Sequence, residues 1–448
     1  MRKRRILAAG LVLAVSVTVW GGKPQASGAQ GGNTMGTVCA QAPAEVPDAD
    51  PNWMGGLNKE QRMQDFESLC NGLRDNYPYL LLAKRQAGAD IDVLERSYRQ
   101  KVELCENDDM FYETLRDFVR EFASTGHLGL WGRRYESELA DLKRYFNLKM
   151  QESDEKGMAH IAPYIAALDN PVSHKTYAAM TKFYEQTENE VQEQGQEAKE
   201  SAAVTEEEPW VNVKTKILEP GKTAYVSISL FDYEQMESDR KILLPFYEKV
   251  RDYDNLIIDI TENPGGSMNY FNELVVAPLA KETLTVPTYQ LLKDGQNNRC
   301  FLMMEEGISS GLYQPVSKLP ELPNLNRENV RDCTYFLQED YTVHPVGNGF
   351  AGKIWLLVSG DNYSSSEYAA MFSKASGFAT LVGETTGGDG IGTDPVYLIL
   401  PNSGLVVQYS PMYGVTADGT GSEEYGTTPD IVSSTGESAL DTCLKWIG

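Results

Sequence analysis

Four histidines occur in the chain, and only His127 has surroundings that would present an imidazole unhindered. It lies in Phe122-Ala-Ser-Thr-Gly-His-Leu-Gly-Leu-Trp131, a small-residue turn. Histidine is the usual side chain that takes a proton near neutral pH. A lone histidine is nevertheless more often structural, and His160, His174 and His344 read that way. A second feature is Asp259-Ile-Thr-Glu-Asn-Pro-Gly-Gly-Ser267, where paired glycines follow an apolar run. Glycines there let the backbone turn sharply and expose N–H groups at the start of the next helix, suited to an oxyanion or a phosphate. No P-loop Lys-Ser/Thr and no GxGxxG accompany them, so nucleotide binding is not indicated. A plain strand-to-helix turn fits equally well. The third feature is Asn362-Tyr-Ser-Ser-Ser-Glu-Tyr-Ala-Ala-Met371. Ser364-x-x-Glu367 is by itself a capping box. It also sets a hydroxyl at the positive end of a helix dipole, beside N–H groups that could hold a tetrahedral oxyanion. Such a serine needs an adjacent base, and spacing does not say whether His127 reaches it.

The elements that must position these groups are partly readable. Met63, Phe66, Leu69 and Leu73 recur at helical spacing, as do Leu94, Tyr98 and Val102, and Phe111, Leu115, Phe118 and Phe122. Residues 57–130 are therefore expected to be a helical region whose stripes face a core. Residues 131–209 are a mixed region ending in an acidic stretch, 185–208, with nine Glu and one Lys, read as a solvated linker. From 210 to 448 short β-type runs (Ala224–Leu230, Asn255–Ile260, Ile354–Val358, Ala379–Val382) alternate with helical stretches, which indicates an α/β domain. Residues 285–350, with Pro, Gly and two Cys, read as an insertion in it.

The chain has 448 residues, 40 Lys+Arg and 64 Asp+Glu, for a net charge of −24. That length allows more than one domain. That field disfavours nucleic acid and anionic lipid surfaces as partners. Arg2, Lys3, Arg4 and Arg5 precede an apolar stretch from Ile6 to Trp20 and a small-residue patch at Ala26–Ala29. This is the pattern of an export signal, residues 1–29, followed by a flexible tether, 30–56. An extracellular or cell-envelope location is expected, with an uncleaved N-terminal anchor as the minor alternative. The six cysteines form no CxxC pair and have no histidines at zinc spacing, so no metal is expected. Cys70–Cys105 and Cys300–Cys333 are the sequence-local disulfide candidates, with buried free thiols the other reading.

Taken in order, the Gly-His turn, "LIIDITENPGGS", "IWLLVSGDNYSSSEYAAM", "LVGETTGG", "LPNSGLVV" and "GSEEYGTTPDI" resemble the tail-specific (C-terminal processing) serine protease family. The resemblance covers about residues 60–130 and 210–445. It implies an α/β fold, a spiral of ββα units related to crotonase and the caseinolytic protease ClpP, behind an N-terminal helical domain. It also implies hydrolysis of peptide bonds in peptide or protein substrates, without a cofactor.

The family has a Ser-Lys branch, with its lysine in a "GxKG" turn. Matching "GETTGGDGIGT" to that turn puts Asp389 at the lysine and Thr393 at the following glutamine, so the dyad is absent; Lys374 reads as a surface lysine. The chain instead resembles the histidine branch, represented by the tricorn core protease. That resemblance implies Ser364 as nucleophile, His127 as base and Glu423 as orienting acid, with Glu424 the competing acid. Gly265 or Gly266, with Ser365, would form the oxyanion hole. The branch's relay serine before the histidine is Gly126 here, and Ser124 is the candidate relay in its place. Thr261 replaces the arginine of the strand end. No carboxylate-binding Gly-Leu-Gly loop of a PDZ module is found between 131 and 210. Two other classes compete: a catalytically silent carrier of peptides or apolar ligands, like the interphotoreceptor retinoid-binding protein, and a structural protein of the cell envelope.

Overall fold

The computed structural model describes residues 50–132, 135–195 and 211–448. The export segment 1–29, the tether up to residue 49 with Cys39, and the acidic residues 196–210 lie outside the described residues.

Four helices open the fold: α1 (Lys59–Asn76), α2 (Leu80–Ala87), α3 (Ile91–Glu103) and α4 (Asp108–Arg120). A capping box starts α1, the Asn58 side chain accepting from Gln61 N and Gln61 from Asn58 N. Asn107 caps α4 by accepting from Met110 N at 2.9 Å. Phe66, Leu69 and Leu73 of α1 and Phe111, Leu115 and Phe118 of α4 are fully buried, as their spacing predicts. The expected tether differs over its last residues. Trp53 and Met54 are buried, and the Trp53 ring meets Tyr112 edge-on at 5.7 Å. Asp108 accepts from Gly56 N and Leu57 N, both at 2.9 Å, fastening this segment to α4. The mixed region is helical where described: α5 (Tyr135–Glu152), α6 (Glu155–Leu168) and α7 (Pro171–Gly195), the last taking in the start of the Glu-rich stretch.

The strands are β1 (Gly129–Leu130), β2 (Val213–Glu219), β3 (Thr223–Ile228), β4 (Asn255–Asp259), β5 (Leu284–Leu292), β6 (Gln314–Pro315), β7 (Tyr335–Val343), β8 (Lys353–Val358), β9 (Thr380–Gly383), β10 (Val396–Ile399), β11 (Val406–Tyr409), β12 (Met412–Thr416) and β13 (Ile431–Val432). The central sheet runs β13-β9-β8-β4-β3-β2, parallel except for β2 at the edge. Parallel strands need cover on both faces, which is why β4 and β8 read as continuous apolar runs. Helix α8 (Met236–Val250), the helical run Met268–Leu279 and the helix Ser365–Ser376 cover one face. The C-terminal helix Ala439–Ile447 covers part of the other, against Ile257, Trp355, Leu357 and Val382.

A four-stranded antiparallel sheet, β12-β5-β7-β6, takes most of residues 285–350. Strand β12 pairs with β5 over Met412↔Leu292 to Thr416↔Thr288, so the expected insertion is built into the core by a long-range pairing. A third sheet, β1-β11-β10, pairs Gly129 with Gln408. It shares one hydrophobic core with α1, α4 and α5 to α7. The fold is thus α/β with an N-terminal helical region, and strands from the C-terminal part complete the helical layer. The five described cysteines, Cys70, Cys105, Cys300, Cys333 and Cys443, are free thiols, so neither local pairing forms. Burial pushes Cys70 and Cys333 up to about 12. Among the described residues no helix is long and apolar enough to cross a membrane.

Asp65 joins the helical layer to the β10–β11 turn. Its buried carboxylate accepts from Asn402 N at 2.8 Å, Asn402 Nδ2 at 3.0 Å and Ser403 N at 2.7 Å. Removing it strands two backbone donors, so Asp65→Ala should lower stability by about 2–4 kcal/mol. Urea denaturation measures this; a loss below about 0.5 kcal/mol would show that water replaces the carboxylate.

Candidate active site

The carboxyl ends of β4, β8 and β9 lie side by side, and the loops that leave them meet there. Asn362, in the turn after β8, ties two of these loops. Its amide donates to Asn263 O at 2.9 Å and to Ile260 O, and its oxygen accepts from Ser359 N at 2.7 Å. The loop after β9 clamps the same turn, with Gly387 N donating to Asn362 O at 2.6 Å and Ser364 N to Gly388 O at 3.0 Å. Between these restraints Ser364 takes φ 60° and ψ −125°, a strained strand-to-helix elbow that begins the helix Ser365–Ser376. The Ser364 hydroxyl is buried and has no hydrogen-bond partner among the described residues. The capping-box reading is therefore not met. Glu367 turns away to accept from Thr386 Oγ1 and from Thr427 Oγ1, the latter at 2.7 Å, and Ser364 caps nothing.

His127 ends a 3₁₀ turn, Thr125–His127, in which Gly126 (φ 56°) and His127 (φ 54°) are both left-handed. The turn is held from both sides. Ser410 N donates to Gly126 O at 2.7 Å, and the adjoining β1–β11 register puts Ser410 beside the imidazole. His127 Nδ1 lies 2.6 Å from Asp389 Oδ2 and 3.0 Å from Ser410 Oγ. Ser410 Oγ donates to the same Asp389 oxygen at 2.7 Å, and Tyr79 OH donates to Asp389 Oδ1 at 2.8 Å. An ionised carboxylate only accepts, so this network assigns the proton to Nδ1 and leaves the Nε2 lone pair open. Nε2 has no partner among the described residues, and His127 and Ser364 line one small cavity with Ser365, Met268 and Thr393.

Glu423 is not the partner of the imidazole. Its carboxyl accepts from Tyr363 OH at 2.9 Å, and Tyr363 OH in turn accepts from His127 N at 3.3 Å. Glu423 thus holds the backbone of the histidine turn and Asp389 holds the ring. Burial and the Asp389 charge push Glu423 well above the usual carboxylate range, which disfavours a second negative charge in the site. Glu424 points elsewhere, pairing with Arg85 at 2.7 Å and accepting from Asn329. Ser124 reaches neither His127 nor Asp389; Ser410 stands where a relay was sought. The absence of serine at 126 has a steric cause. A Cβ there would lie 2.5 Å from the Tyr79 ring, whose hydroxyl is committed to Asp389.

The glycine turn separates its two candidates. Gly265 N donates to Asn263 Oδ1 at 2.9 Å and is occupied. Gly266 N makes no hydrogen bond among the described residues, and Gly266 O accepts from Ser365 Oγ at 2.6 Å, joining the turn to the serine helix. At φ 117°, with a would-be Cβ 2.3 Å from Phe231 O, position 266 admits only glycine. Thr261 caps the strand end by donating to Asp259 through both N and Oγ1. Lys374 lies at the surface, bonded to Thr428 O. His174 and His344 meet Lys143 and Thr283 respectively. No group of three or more His, Cys, Asp or Glu among the described residues could hold a metal ion.

Glu367 links the serine helix to the segments carrying Asp389 and Glu423. Burial pushes it from 4.5 to about 7, against the lowering effect of its threonine donors. Folding therefore takes up a proton between those values. The site's contribution to stability is full below pH 4.5 and is lost as pH rises through about 7. Glu367→Gln should flatten the fall in Tm across this interval, and an unchanged slope in calorimetric melts would contradict the coupling.

Residues 222–433 match the profile of Peptidase family S41. No curated protein matches the chain. Among solved structures it is similar to a protein of Parabacteroides merdae ATCC 43184 assigned to the peptidases, with TM-score 0.51 and 16% identity over 86% of this chain and 96% of that one. It is likewise similar to mature CPAF, solved in complex with lactacystin, with TM-score 0.50 and 13% identity over 87% of this chain and 97% of that one. These likenesses speak for the fold, helical region included. The matched span contains the glycine turn, Ser364 and Asp389, whereas His127 comes from the segment before it. Residues 222–433 thus form a core of peptidase family S41, the tail-specific (C-terminal processing) serine proteases, and the chain is a serine-type peptidase.

Proposed function

We propose that the chain is an exported serine endopeptidase that works through Ser364, His127 and Asp389. The observation that carries this reading is the shared cavity, where an unpartnered, buried Ser364 hydroxyl faces the same space as an imidazole whose Nδ1 is held by Asp389. The hydroxyl and Nε2 are not hydrogen-bonded to each other, a state common in substrate-free sites whose contacts tighten on binding.

Ser364 Oγ attacks the carbonyl carbon of a peptide bond while Nε2 takes its proton. The tetrahedral oxyanion rests on the Gly266 N–H, with the N–H of Ser365 at the helix start as the second donor. Asp389 stabilises the imidazolium without being protonated, and Ser410 and Tyr79 fix the carboxylate. The imidazolium passes its proton to the leaving amine as the C–N bond breaks. Water, deprotonated by His127, then releases the acyl group and restores Ser364. Peptide or protein substrates follow from this chemistry. Export rests on the basic and apolar N-terminal pattern, and N-terminal sequencing of the mature protein should start near residue 30; an intact Met1 would contradict cleavage.

The division of labour between the two acids is testable. Ser364→Ala should abolish labelling by a serine-directed phosphonate. Asp389→Asn should cut kcat by about 10³–10⁴-fold, because the imidazole adopts the wrong tautomer. Glu423→Gln, which keeps an acceptor for Tyr363, should cost about tenfold or less. Steady-state kinetics with a peptide substrate decides. A larger loss for Glu423→Gln than for Asp389→Asn would return the orienting role to Glu423.

A further inference from the structure

Asp394 is 6% exposed, and its Oδ1 is buried with no hydrogen-bond partner among the described residues. Only Oδ2 is engaged, by Lys149 Nζ at 3.2 Å. The backbone is fixed there, since Tyr164 OH donates to Asp394 O at 3.2 Å. A second unpartnered polar atom belongs to the same neighbourhood. The Tyr145 hydroxyl is buried without a partner, and Asp394 is the charged group that most opposes its ionisation. The Tyr145 ring lies 5.1 Å from Lys149 Nζ, the same ammonium that engages Asp394, and 5.5 Å from the Tyr233 ring. A buried carboxylate oxygen without a donor costs free energy that a stable fold rarely leaves uncompensated unless a ligand supplies the donor.

Asp394 also adjoins the catalytic cavity. Thr393, immediately before it, lines the space shared by Ser364 and His127. Burial raises the Asp394 carboxyl above its ordinary range, and the neighbouring Lys149 ammonium works against that rise. From Val396 the chain enters β10, whose register opposite β11 (Val396↔Tyr409) brings this segment alongside Ser410.

We infer that Asp394, with the Tyr145 hydroxyl, forms an acidic subsite that takes the guanidinium or ammonium of an arginine or lysine residue next to the scissile peptide bond. This rests on the serine endopeptidase reading and names its substrate class. The incoming cation donates to Oδ1, beside the Tyr145 ring that Lys149 Nζ already approaches. Lys149 holds the carboxylate in place and moderates its charge, so it sets how strongly the subsite discriminates.

The test compares fluorogenic peptides that differ only in arginine or citrulline, a neutral isostere, before the cleaved bond. The wild-type protein should prefer arginine by about 10- to 100-fold in kcat/KM, the worth of one buried charge-assisted contact. In Asp394→Asn the ratio should fall towards one, and in Lys149→Met it should rise. A wild-type ratio near one, or a ratio unmoved by Asp394→Asn in a variant that melts like the wild type, overturns the subsite. Calorimetric binding of the same two peptides to Ser364→Ala reads the preference without turnover. Preferential binding without hydrolysis by the wild type would sink the peptidase mechanism alone, and hydrolysis without preference would sink the subsite alone.

Discussion

The site depends on one buried ion pair in prospect: a carboxylate, Asp389, held 2.6 Å from the Nδ1 of His127. A buried carboxylate is tolerable only when donors surround it. Three do so here, His127, Ser410 and Tyr79, which lie far apart in sequence. The helical region gives Tyr79 and the histidine turn, the strand β11 leads into Ser410, and the parallel sheet leads into Asp389. None of these partners is local to another in sequence. The carboxylate therefore reports whether the helical layer and the sheet are correctly docked.

The second constraint is mechanical. Ser364 sits at a strained elbow, and three loops from the carboxyl edge of the parallel sheet hold it there through Asn362, Gly387 and Gly388. Strain of this kind persists only where the surroundings over-determine it. The result is a hydroxyl with no hydrogen bond of its own, at the start of a helix, against a glycine whose N–H is open. Glu423 adds a third restraint by holding the backbone of the histidine turn. Two acids thus act on the histidine turn in different ways, Asp389 on the ring directly and Glu423 on the backbone through Tyr363.

How much of this was readable follows from what is local. The helical stripes of α1 and α4, the buried strands β4 and β8, the glycine turn and the serine at the next helix start are short-range patterns, and they appear in the fold. The site's partners are not short-range. Asp389 was legible only as an acid in the place of a lysine, because its approach to His127 requires a left-handed turn (φ 55°) and the β1–β11 register. Ser410 follows an ordinary strand and carries no motif. Glu423 was matched to the imidazole by motif order, yet the choice between ring and backbone is one of a few ångströms. Residues 285–350 looked like an excursion because β5 finds its partner, β12, more than a hundred residues away. The apparent disulfide pairs failed for the same reason, since closeness in sequence placed neither pair of thiols together.

The most direct test of the account is a crystal structure of the protein after reaction with a peptidyl phosphonate. The account predicts phosphorus bonded to Ser364 Oγ, a phosphoryl oxygen on the Gly266 N–H, and His127 still fastened to Asp389 with Nε2 turned to the adduct. An adduct on another residue, or an imidazole that leaves Asp389 for Glu423, would contradict it.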